Sequence, residues 1–262
     1  MLVVLILSGR EFMLRPDGRV HIRFLDVGQG DSTLITLADG KRIIIDGGPD
    51  WSTLEGIGRT MPFFNRSIDV LVLSHPNADH MTSFPEILRR YSVKVLVTAG
   101  TTYDSGIYAA TLARAKNRGT QHIVMHAGQV LNVGEDTLEA LWPPAVMPVG
   151  FDKDVNNESL TLRFTHAGKR ALFTGDFEEI VEKTLVAASV DLKADILKVP
   201  HHGSKTSSST GFLLAVHPST AIISVARENS YGHPNPGVLS RLRGIGADVR
   251  LTDDEGDIEI VW

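Results

Sequence analysis

The chain has 262 residues, of which 42% are hydrophobic and 22% charged, and this is the composition of an ordinary globular protein with a sizeable core. It contains no cysteine, which excludes disulfides, thiolate metal sites and thiol nucleophiles. The formal net charge of −5 at pH 7 argues against strong unspecific binding of nucleic acid by this chain alone, because tight polyanion binders are usually basic.

The N-terminal segment MLVVLILSGREF begins with an apolar run that is too short to cross a bilayer, which takes about 20 residues. It also lacks the basic start and the small-residue cleavage site of a signal peptide. A buried first strand and the end of a transmembrane helix both fit it. We therefore divide the chain into residues 1–19, an N-terminal extension or membrane-proximal stub, and residues 20–262, one domain.

Apolar segments rich in Val, Ile and Leu recur along the chain and predict strands. They are VHIRFLDV, STLITL, RIIID, DVLVLS, VKVLVT, DTLEALW, SLTLRF, RALFTG, DILKV and AIISV, with hairpin turns at ADGKR and HAGKR. Apolar spacing of three and four residues predicts helices over 83–91, 107–118, 177–189, 208–216 and 236–244. The acidic end, TDDEGDIEIVW, is expected to be a solvated edge. The fold predicted is α/β, with two sheets packed together and covered by helices.

Four of the predicted strands end directly in His, Asp or Asn residues. The segments that follow them are HPNADH, GDFEE, PHHGSKTSS and ARENSYGHP. Because ligand sites in α/β proteins gather where strands end, distant residues are expected to meet there. These residues are His75, Asp79, His80, Asp176, His201, His202 and His233. Imidazoles and carboxylates without sulfur are a ligand set for Zn²⁺, Mn²⁺ or iron.

Each segment also has an ordinary structural interpretation when it is taken alone. A single His at a strand end is usually a cap or a surface residue, and Asp176 fits the N-cap of the helix that follows it. The segments YGHP, LDVGQGDS and IIIDGG fit turns. The metal site is favoured because all of these segments occur in one chain and in one order.

Seven motifs in this order resemble those of the C-terminal domain of ComEC-type DNA-uptake proteins, a domain of the metallo-β-lactamase superfamily. They are LDVGQGDS, IIIDGG, LSHPNADH, NNESLTLRF, LFTGDFEE, LKVPHHGSKTSS and SYGHP. The resemblance runs from about Val20 to Trp262. It implies an αββα metallo-β-lactamase-like sandwich of two mixed sheets with outer helices and a metal site at one edge of the sheets.

The resemblance also implies a first metal position that is depleted in this chain. The superfamily motif His-x-His-x-Asp-His appears here as His75, Asn77, Asp79 and His80. His75 and Asn77 stand where the first metal is held, and Asn156 or Asn157 stands where many members have another His; we take Asn157 as the ligand. An amide oxygen is a weaker ligand for Zn²⁺ than an imidazole, so Mn²⁺ suits this position better.

The second metal position is complete by the same resemblance. Its ligands would be Asp79, His80, a shared Asp176 and one His of HHGS, for which we favour His202. His201 would then contact the substrate. The chain is expected to hold one or two divalent ions, Mn²⁺ or Zn²⁺, and no small organic cofactor.

Metal-assisted hydrolysis follows from this ligand set if the site is active, and the resemblance implies that the substrate is a phosphodiester. Metal ions activate a water and, when two are present about 3.5–4 Å apart, clamp the attacking and leaving oxygens. Asp79 would also orient the nucleophile, and proton donation or phosphate contact is assigned to His201, His233 and Lys205. Phosphate contact is also assigned to the hydroxyls of Ser204, Thr206 and Ser207. The same Ser/Thr run also fits the N-cap of the helix TGFLLAV.

The resemblance alone supplies the substrate, which is DNA during uptake in natural transformation. It implies a nuclease at the outer face of the cell membrane, beside a channel of the same or a partner protein, where tethering offsets weak DNA binding. Two alternatives stay open. One is a hydrolase of another phosphoester, an ester or a lactam. The other is a non-catalytic or weakly catalytic DNA-guiding module on a metal-depleted fold.

Overall fold

The structure is a computed structural model that describes residues 14–148, 151 and 154–262. The apolar run at the N-terminus lies outside the described residues, so both of its interpretations stay predictions. Residues 14–20, the described part of the expected extension, form a turn, a bend and irregular backbone. In the described ranges, no helix has the length and apolar character needed to cross a membrane.

The first sheet contains seven strands within the described residues. They are β1 (His21–Phe24), β2 (Thr33–Thr36), β3 (Arg42–Ile45), β4 (Ser67–Val72), β5 (Ser92–Thr98), β6 (Gln121–Val124) and β14 (Ile258–Val261). Their spatial order is β14-β1-β2-β3-β4-β5-β6. The pairs from β14 to β3 are antiparallel and those from β3 to β6 are parallel.

The second sheet repeats this mixed arrangement, again with seven strands among the described residues. They are β7 (Val130–Val133), β8 (Asp136–Trp142), β9 (Thr161–His166), β10 (Lys169–Phe173), β11 (Ile196–Lys198), β12 (Thr220–Ile223) and β13 (Asp248–Leu251). The spatial order is β13-β12-β11-β10-β9-β8-β7. β7 to β10 pair antiparallel, and β10 to β13 pair parallel.

Helices lie on the outer faces of both sheets. The structure has α1 (Ser52–Thr60), α2 (Ala78–Met81), α3 (Phe84–Arg90), α4 (Gly106–Asn117), α5 (Glu179–Ala187), α6 (Thr210–Val216), α7 (Pro236–Gly244) and α8 (Thr252–Glu255). Short 3₁₀ helices span Val155–Glu158 and Pro200–Gly203. Apolar residues of α1, α3 and α4 pack on the first sheet, and those of α5, α6 and α7 pack on the second.

The main core lies between the sheets and joins side chains of β1 to β5 with side chains of β8 to β12. Phe24 of the first sheet stacks on Phe173 of the second, with ring centroids 6.0 Å apart. Burying such large apolar side chains from both faces holds the two sheets together. The predicted αββα arrangement is confirmed.

Each of the ten predicted strands and five predicted helices is present, and both predicted hairpins join antiparallel strands. The structure adds elements that the apolar pattern did not predict: α1, α2, α8, β6, β7, β13 and β14. The acidic C-terminal segment is one correction. Its residues Ile258–Val261 pair with β1, and Ile258 is buried, so this segment forms the edge strand of the first sheet and is not only a solvated segment.

Candidate metal centre

Four side chains converge where strands of both sheets end, and we call them the four-ligand group. They are Asp79, His80, Asp176 and His202, and one ligand atom of each lies within 4.8 Å of those of the others. Oδ2 of Asp176 lies 3.3 Å from Nε2 of His80 and 3.2 Å from Nε2 of His202. Oδ2 of Asp79 lies 3.5 Å from the same nitrogen of His202. Two imidazoles and two carboxylates at this spacing are a ligand set for a divalent metal.

Several polar atoms of the four-ligand group have no hydrogen-bond partner. Nε2 of His80, Nε2 of His202 and Oδ1 of Asp176 are all buried and unpaired. Buried polar atoms are almost always hydrogen-bonded, so unpaired atoms concentrated in one group of metal-binding side chains indicate that an ion satisfies them. The residues present therefore fit a divalent metal.

Asp46 orients His80 from the side opposite the group. The residue directly follows β3, and its Oδ2 lies 2.9 Å from Nδ1 of His80. The same carboxylate accepts hydrogen bonds from the Ser74 hydroxyl, at 2.7 Å, and from the Ser74 backbone N–H, at 2.8 Å. A carboxylate on Nδ1 fixes the ring and its tautomer, which leaves Nε2 of His80 free for a metal.

Asp31 lies beside His202 and neutralises a buried lysine. Its Oδ1 lies 3.3 Å from Nδ1 of His202 but is not hydrogen-bonded to it, because that nitrogen pairs with the carbonyl oxygen of Ser224 at 3.0 Å. Its Oδ2 lies 2.6 Å from Nζ of Lys198, the last residue of β11. Lys198 is 3% exposed, so this ion pair is almost completely removed from water.

Unusual backbone conformations shape the loops that carry the ligands. His201 and His202 have φ angles of 50° and 52°, in the left-handed region that side chains other than glycine seldom adopt. Gly30 lies against the Asp79 loop, where an added Cβ would collide with the carbonyl oxygen of Asp79 and the ring of Pro49. The strained backbone persists only where the surrounding structure enforces it, and here it carries His202 into the group. The absence of a side chain at Gly30 lets the Asp79 loop pack closely.

The loop after His202 is held by its own hydroxyl groups. Oγ of Ser204 lies 3.0 Å from Oγ1 of Thr206, which lies 3.5 Å from Nδ1 of His201. Ser207 is buried, and its hydroxyl donates to the carbonyl oxygens of Pro200 and Ser204 at 3.1 and 3.2 Å. The expected phosphate contact of Ser207 is corrected to a structural role, because its hydrogen is already committed inside the loop.

The remaining residues with predicted roles lie around the four-ligand group. His201 is half-buried, with its ring centroid 6.4 Å from that of His202 and 5.7 Å from that of His233. Lys205 is exposed on the same loop. Burial and the neighbouring His201 lower the pKa of His233 to about 4. His233 is therefore a neutral imidazole at neutral pH and is poorly suited to donate a proton.

Of the two helix caps that the sequence suggested, one is present and the other is not. Ser209 is the N-cap of α6, and its hydroxyl accepts a hydrogen bond from the backbone N–H of Phe212. The N-cap of α5 is Glu178, so Asp176 lies before the cap and belongs to the four-ligand group instead.

The sequence profile of the metallo-beta-lactamase superfamily matches residues 25–227. The chain belongs to this superfamily. ComE operon protein 3 of Bacillus subtilis (strain 168) is 30% identical over 263 aligned positions, which cover 94% of this chain and 33% of that protein. Competence protein ComA of Neisseria gonorrhoeae is 31% identical over 249 positions, covering 93% of this chain and 32% of that protein. The expected resemblance to ComEC-type proteins is confirmed.

The chain spans about a third of the length of these two relatives. The crystal structure of the metallo-beta-lactamase fold protein YhfI from Bacillus subtilis superimposes with a TM-score of 0.60. The match covers 93% of this chain and 100% of that chain at 11% identity, and it shows the shared fold. Superfamily members of this kind are metal-dependent hydrolases that bind divalent metals such as Zn²⁺.

The first metal position of the superfamily is occupied here by one imidazole and amide groups. Nε2 of His75 is buried and unpaired, and its ring centroid lies 4.2 Å from that of His80. Nδ2 of Asn77 donates to Oδ1 of Asn156 at 2.7 Å. Asn157 points elsewhere: its side-chain oxygen accepts from the backbone N–H of Glu178 at 2.9 Å. The assignment of Asn157 is corrected, because Asn156 is the amide that faces Asn77.

Asp31 and Asp46 belong to the motifs LDVGQGDS and IIIDGG, which taken alone fit glycine turns. Both are charged residues in otherwise apolar or glycine-rich segments, next to strands that are buried. Such a carboxylate needs a partner inside the protein. That requirement was the available signal, although it does not identify which histidine the carboxylate meets.

The charged groups give the metal-free centre an unusual dependence on pH. Burial lowers the pKa of His80, but Asp176 and Asp46 outweigh this and raise it well above 6.5. Burial also lowers the pKa of His202, but Asp176 and Asp31 outweigh it and raise this pKa well above 6.5. The folded chain therefore keeps these protons at pH values where the unfolded chain has lost them. The contribution of these two histidines to stability should be greatest below pH 6.5, and it should fall as the pH rises towards their pKa values in the folded chain.

We expect the melting temperature of the protein in EDTA to fall between pH 6.5 and pH 9. Metal binding requires deprotonated imidazoles, so the increase in melting temperature on adding Mn²⁺ should grow over the same interval. Differential scanning calorimetry with and without Mn²⁺ measures both trends. A melting temperature in EDTA that is constant or rises over this interval would contradict the protonated state of His80 and His202.

Proposed function

We propose that this chain is a metal-dependent phosphodiesterase that cleaves DNA at the four-ligand group during DNA uptake. The observation that carries the proposal is the convergence of Asp79, His80, Asp176 and His202 with unpaired nitrogen atoms. Two relatives are described by name as a ComE operon protein and a competence protein, and these names support DNA as the substrate.

The exposure of the ligands indicates the side from which substrate approaches. The side chain of Asp79 is 35% exposed, whereas those of His80, Asp176 and His202 are between 0 and 4% exposed. A divalent metal bound here supplies Lewis-acid activation of water and of a phosphoryl oxygen. Asp79 is therefore assigned the second role of accepting a hydrogen bond from the attacking water.

Proton transfer to the leaving oxygen is assigned to His201, which is half-buried beside His202. Its Nδ1 lies 3.7 Å from Oε1 of Glu178. A hydrogen bond to the phosphate is assigned to the neutral His233, to the exposed Lys205 and to the hydroxyls of Ser204 and Thr206. Of the two roles expected for His233, proton donation and phosphate contact, we propose only phosphate contact.

We propose that the chain holds one metal firmly, in the four-ligand group. The first position has one imidazole, that of His75, because Asn77 and Asn156 stand where many superfamily members have further histidines. Oxygen-rich surroundings of this kind suit Mn²⁺ better than Zn²⁺. A second ion would share Asp176 and bind more weakly.

The proposed setting is the outer face of the cell membrane, beside a channel. A net charge of −5 gives this chain little affinity of its own for DNA. Tethering to a DNA-conducting channel would raise the effective concentration of substrate and make tight binding unnecessary.

The test is Mn²⁺-dependent cleavage of single- and double-stranded DNA by the wild-type chain and by Asp79→Ala. We expect cleavage that EDTA abolishes and that Asp79→Ala lowers by at least about 100-fold, because losing a ligand should cost more than losing a residue behind one. Asp248→Ala is the matched control, since Asp248 is exposed at the start of β13, at the opposite end from the site.

Three other results would each reject part of the proposal. Metal binding without cleavage of DNA, but with cleavage of another phosphoester, would change the substrate. Metal-independent DNA binding without any cleavage would favour the DNA-guiding module that Asn77 supports. Cleavage that is equal in Asp79→Ala and wild type would place the active centre outside the four-ligand group.

A further inference from the structure

A row of aromatic rings leads from the four-ligand group to the surface. From His202 the ring centroids are separated by 6.4 Å to His201, then 5.7 Å to His233, then 5.7 Å to Tyr231. His202 is buried, His201 and His233 are half-buried, and Tyr231 is 69% exposed. Tyr231 is therefore the outer end of a continuous path that begins at a metal ligand.

The ring of Tyr231 has one occupied face and one open face. Its plane is inclined by 23° to that of His233, which is an offset stack. A ring that is stacked on one side and still 69% exposed presents its other side to solvent. An exposed aromatic face beside a catalytic centre offers a flat ligand a surface on which to stack.

The loop that carries Tyr231 is braced from inside. Nδ2 of Asn229 donates to the carbonyl oxygens of Ala226 and His233 at 2.9 and 2.7 Å, and Oδ1 of Asn229 accepts from the His233 N–H at 3.0 Å. The N–H of Asn235 donates to the carbonyl oxygen of Gly203 at 2.8 Å, which ties the loop to the His202 loop. The stacking surface is thus held in place before any ligand arrives, which reduces the entropy lost on binding.

A nucleobase is the flat group that a phosphodiester substrate carries next to its phosphate. In a duplex each base is paired and stacked between its neighbours, so it offers no free face to a protein. In a single strand the bases are available, and aromatic side chains bind them with little sequence preference, because every base has a π-face.

We propose that Tyr231 stacks on an unpaired nucleobase of the substrate and thereby directs the site to single-stranded nucleic acid. This inference rests on the proposed function, since it takes the phosphate beside that base to lie at the four-ligand group. His233 stacks on the inner face of the tyrosine ring. Through its proposed hydrogen bond to the phosphate, it would also connect the base-binding surface with the four-ligand group.

The test compares two labelled oligonucleotides of equal length, one of thymidine and one abasic, by fluorescence anisotropy in EDTA, where no cleavage competes. We expect the wild type to prefer the thymidine strand and Tyr231→Ala to reduce that preference by about ten-fold, which is the usual loss for one stacked base. Tyr231→Phe keeps the ring and should keep the preference. Phe64→Ala is the matched control, because Phe64 is 79% exposed but precedes β4, at the opposite edge of the sheet.

The outcomes separate this inference from the proposed function. Equal affinity of the wild type for both strands, or equal behaviour of Tyr231→Ala and Phe64→Ala, would overturn the role of Tyr231 even if Mn²⁺-dependent cleavage is found. A Tyr231-dependent preference without cleavage would support the binding site and reject the nuclease. Melting temperatures of the three variants check that each is folded.

Discussion

Replacing Asp176 with alanine is expected to abolish metal binding and, with it, hydrolysis. Asp176 is the carboxylate that lies within 3.3 Å of the imidazoles of both His80 and His202, so its removal deprives both rings of their shared partner. Loss of a carboxylate that only supports a metal ligand costs about 10–100-fold in metal affinity, and loss of Asp176, which is itself a ligand, should cost more. The effect should also exceed that of Asp79→Ala, because Asp79 lies at the open side of the group.

Isothermal titration of Mn²⁺ and Zn²⁺ into the metal-free protein measures this loss directly. Asp191→Ala provides the control, because Asp191 is an exposed carboxylate that pairs with Arg163 and Arg170 and is not part of the four-ligand group. Metal affinity within ten-fold of the wild type in Asp176→Ala would show that the ion is held elsewhere.

Replacing Asp31 with asparagine is expected to have the largest effect on stability. Lys198 is 3% exposed, and Asp31 is the carboxylate that neutralises it. Removing one partner of a buried ion pair leaves the other charge without compensation, which costs about 3–5 kcal/mol of the free energy of unfolding. Lys198→Met should cost less, because His202 remains 3.3 Å from the Asp31 carboxylate.

The double variant separates the ion pair from the orientation of His202. Asp31→Asn combined with Lys198→Met leaves neither charge buried, so it should be more stable than Asp31→Asn alone. Its metal affinity should nevertheless stay about 10–100-fold below the wild type, because His202 has lost the negative charge that lies 3.3 Å from its Nδ1. Urea unfolding and metal titration measure the two quantities. A double variant with wild-type metal affinity would leave Asp31 with a role in stability only.

The apolar strands were predictable because local hydrophobic pattern and burial coincide in them. β6 and β7 were missed because each has only four residues and five of these eight residues are exposed, so neither segment stands out as an apolar run. β14 lies in an acidic segment and becomes a strand through its pairing with β1, more than 200 residues earlier. Its residues Ile258–Val261 do favour a strand, but the pattern is only four residues long and is masked by the acidic residues before it.

The strand pattern by itself predicted an α/β fold of two packed sheets and brought seven polar residues together, because strand ends meet at one edge. The resemblance to the metallo-β-lactamase superfamily selected Asp79, His80, Asp176 and His202 among them. The tertiary structure decided which polar residues pair. It placed Asp46 on His80 and Asp31 between Lys198 and His202, and it turned Asn157 and Ser207 inward. The physical reason is that a hydrophobic pattern records how deeply a residue is buried, whereas a hydrogen-bond partner depends on which distant segment is packed against it.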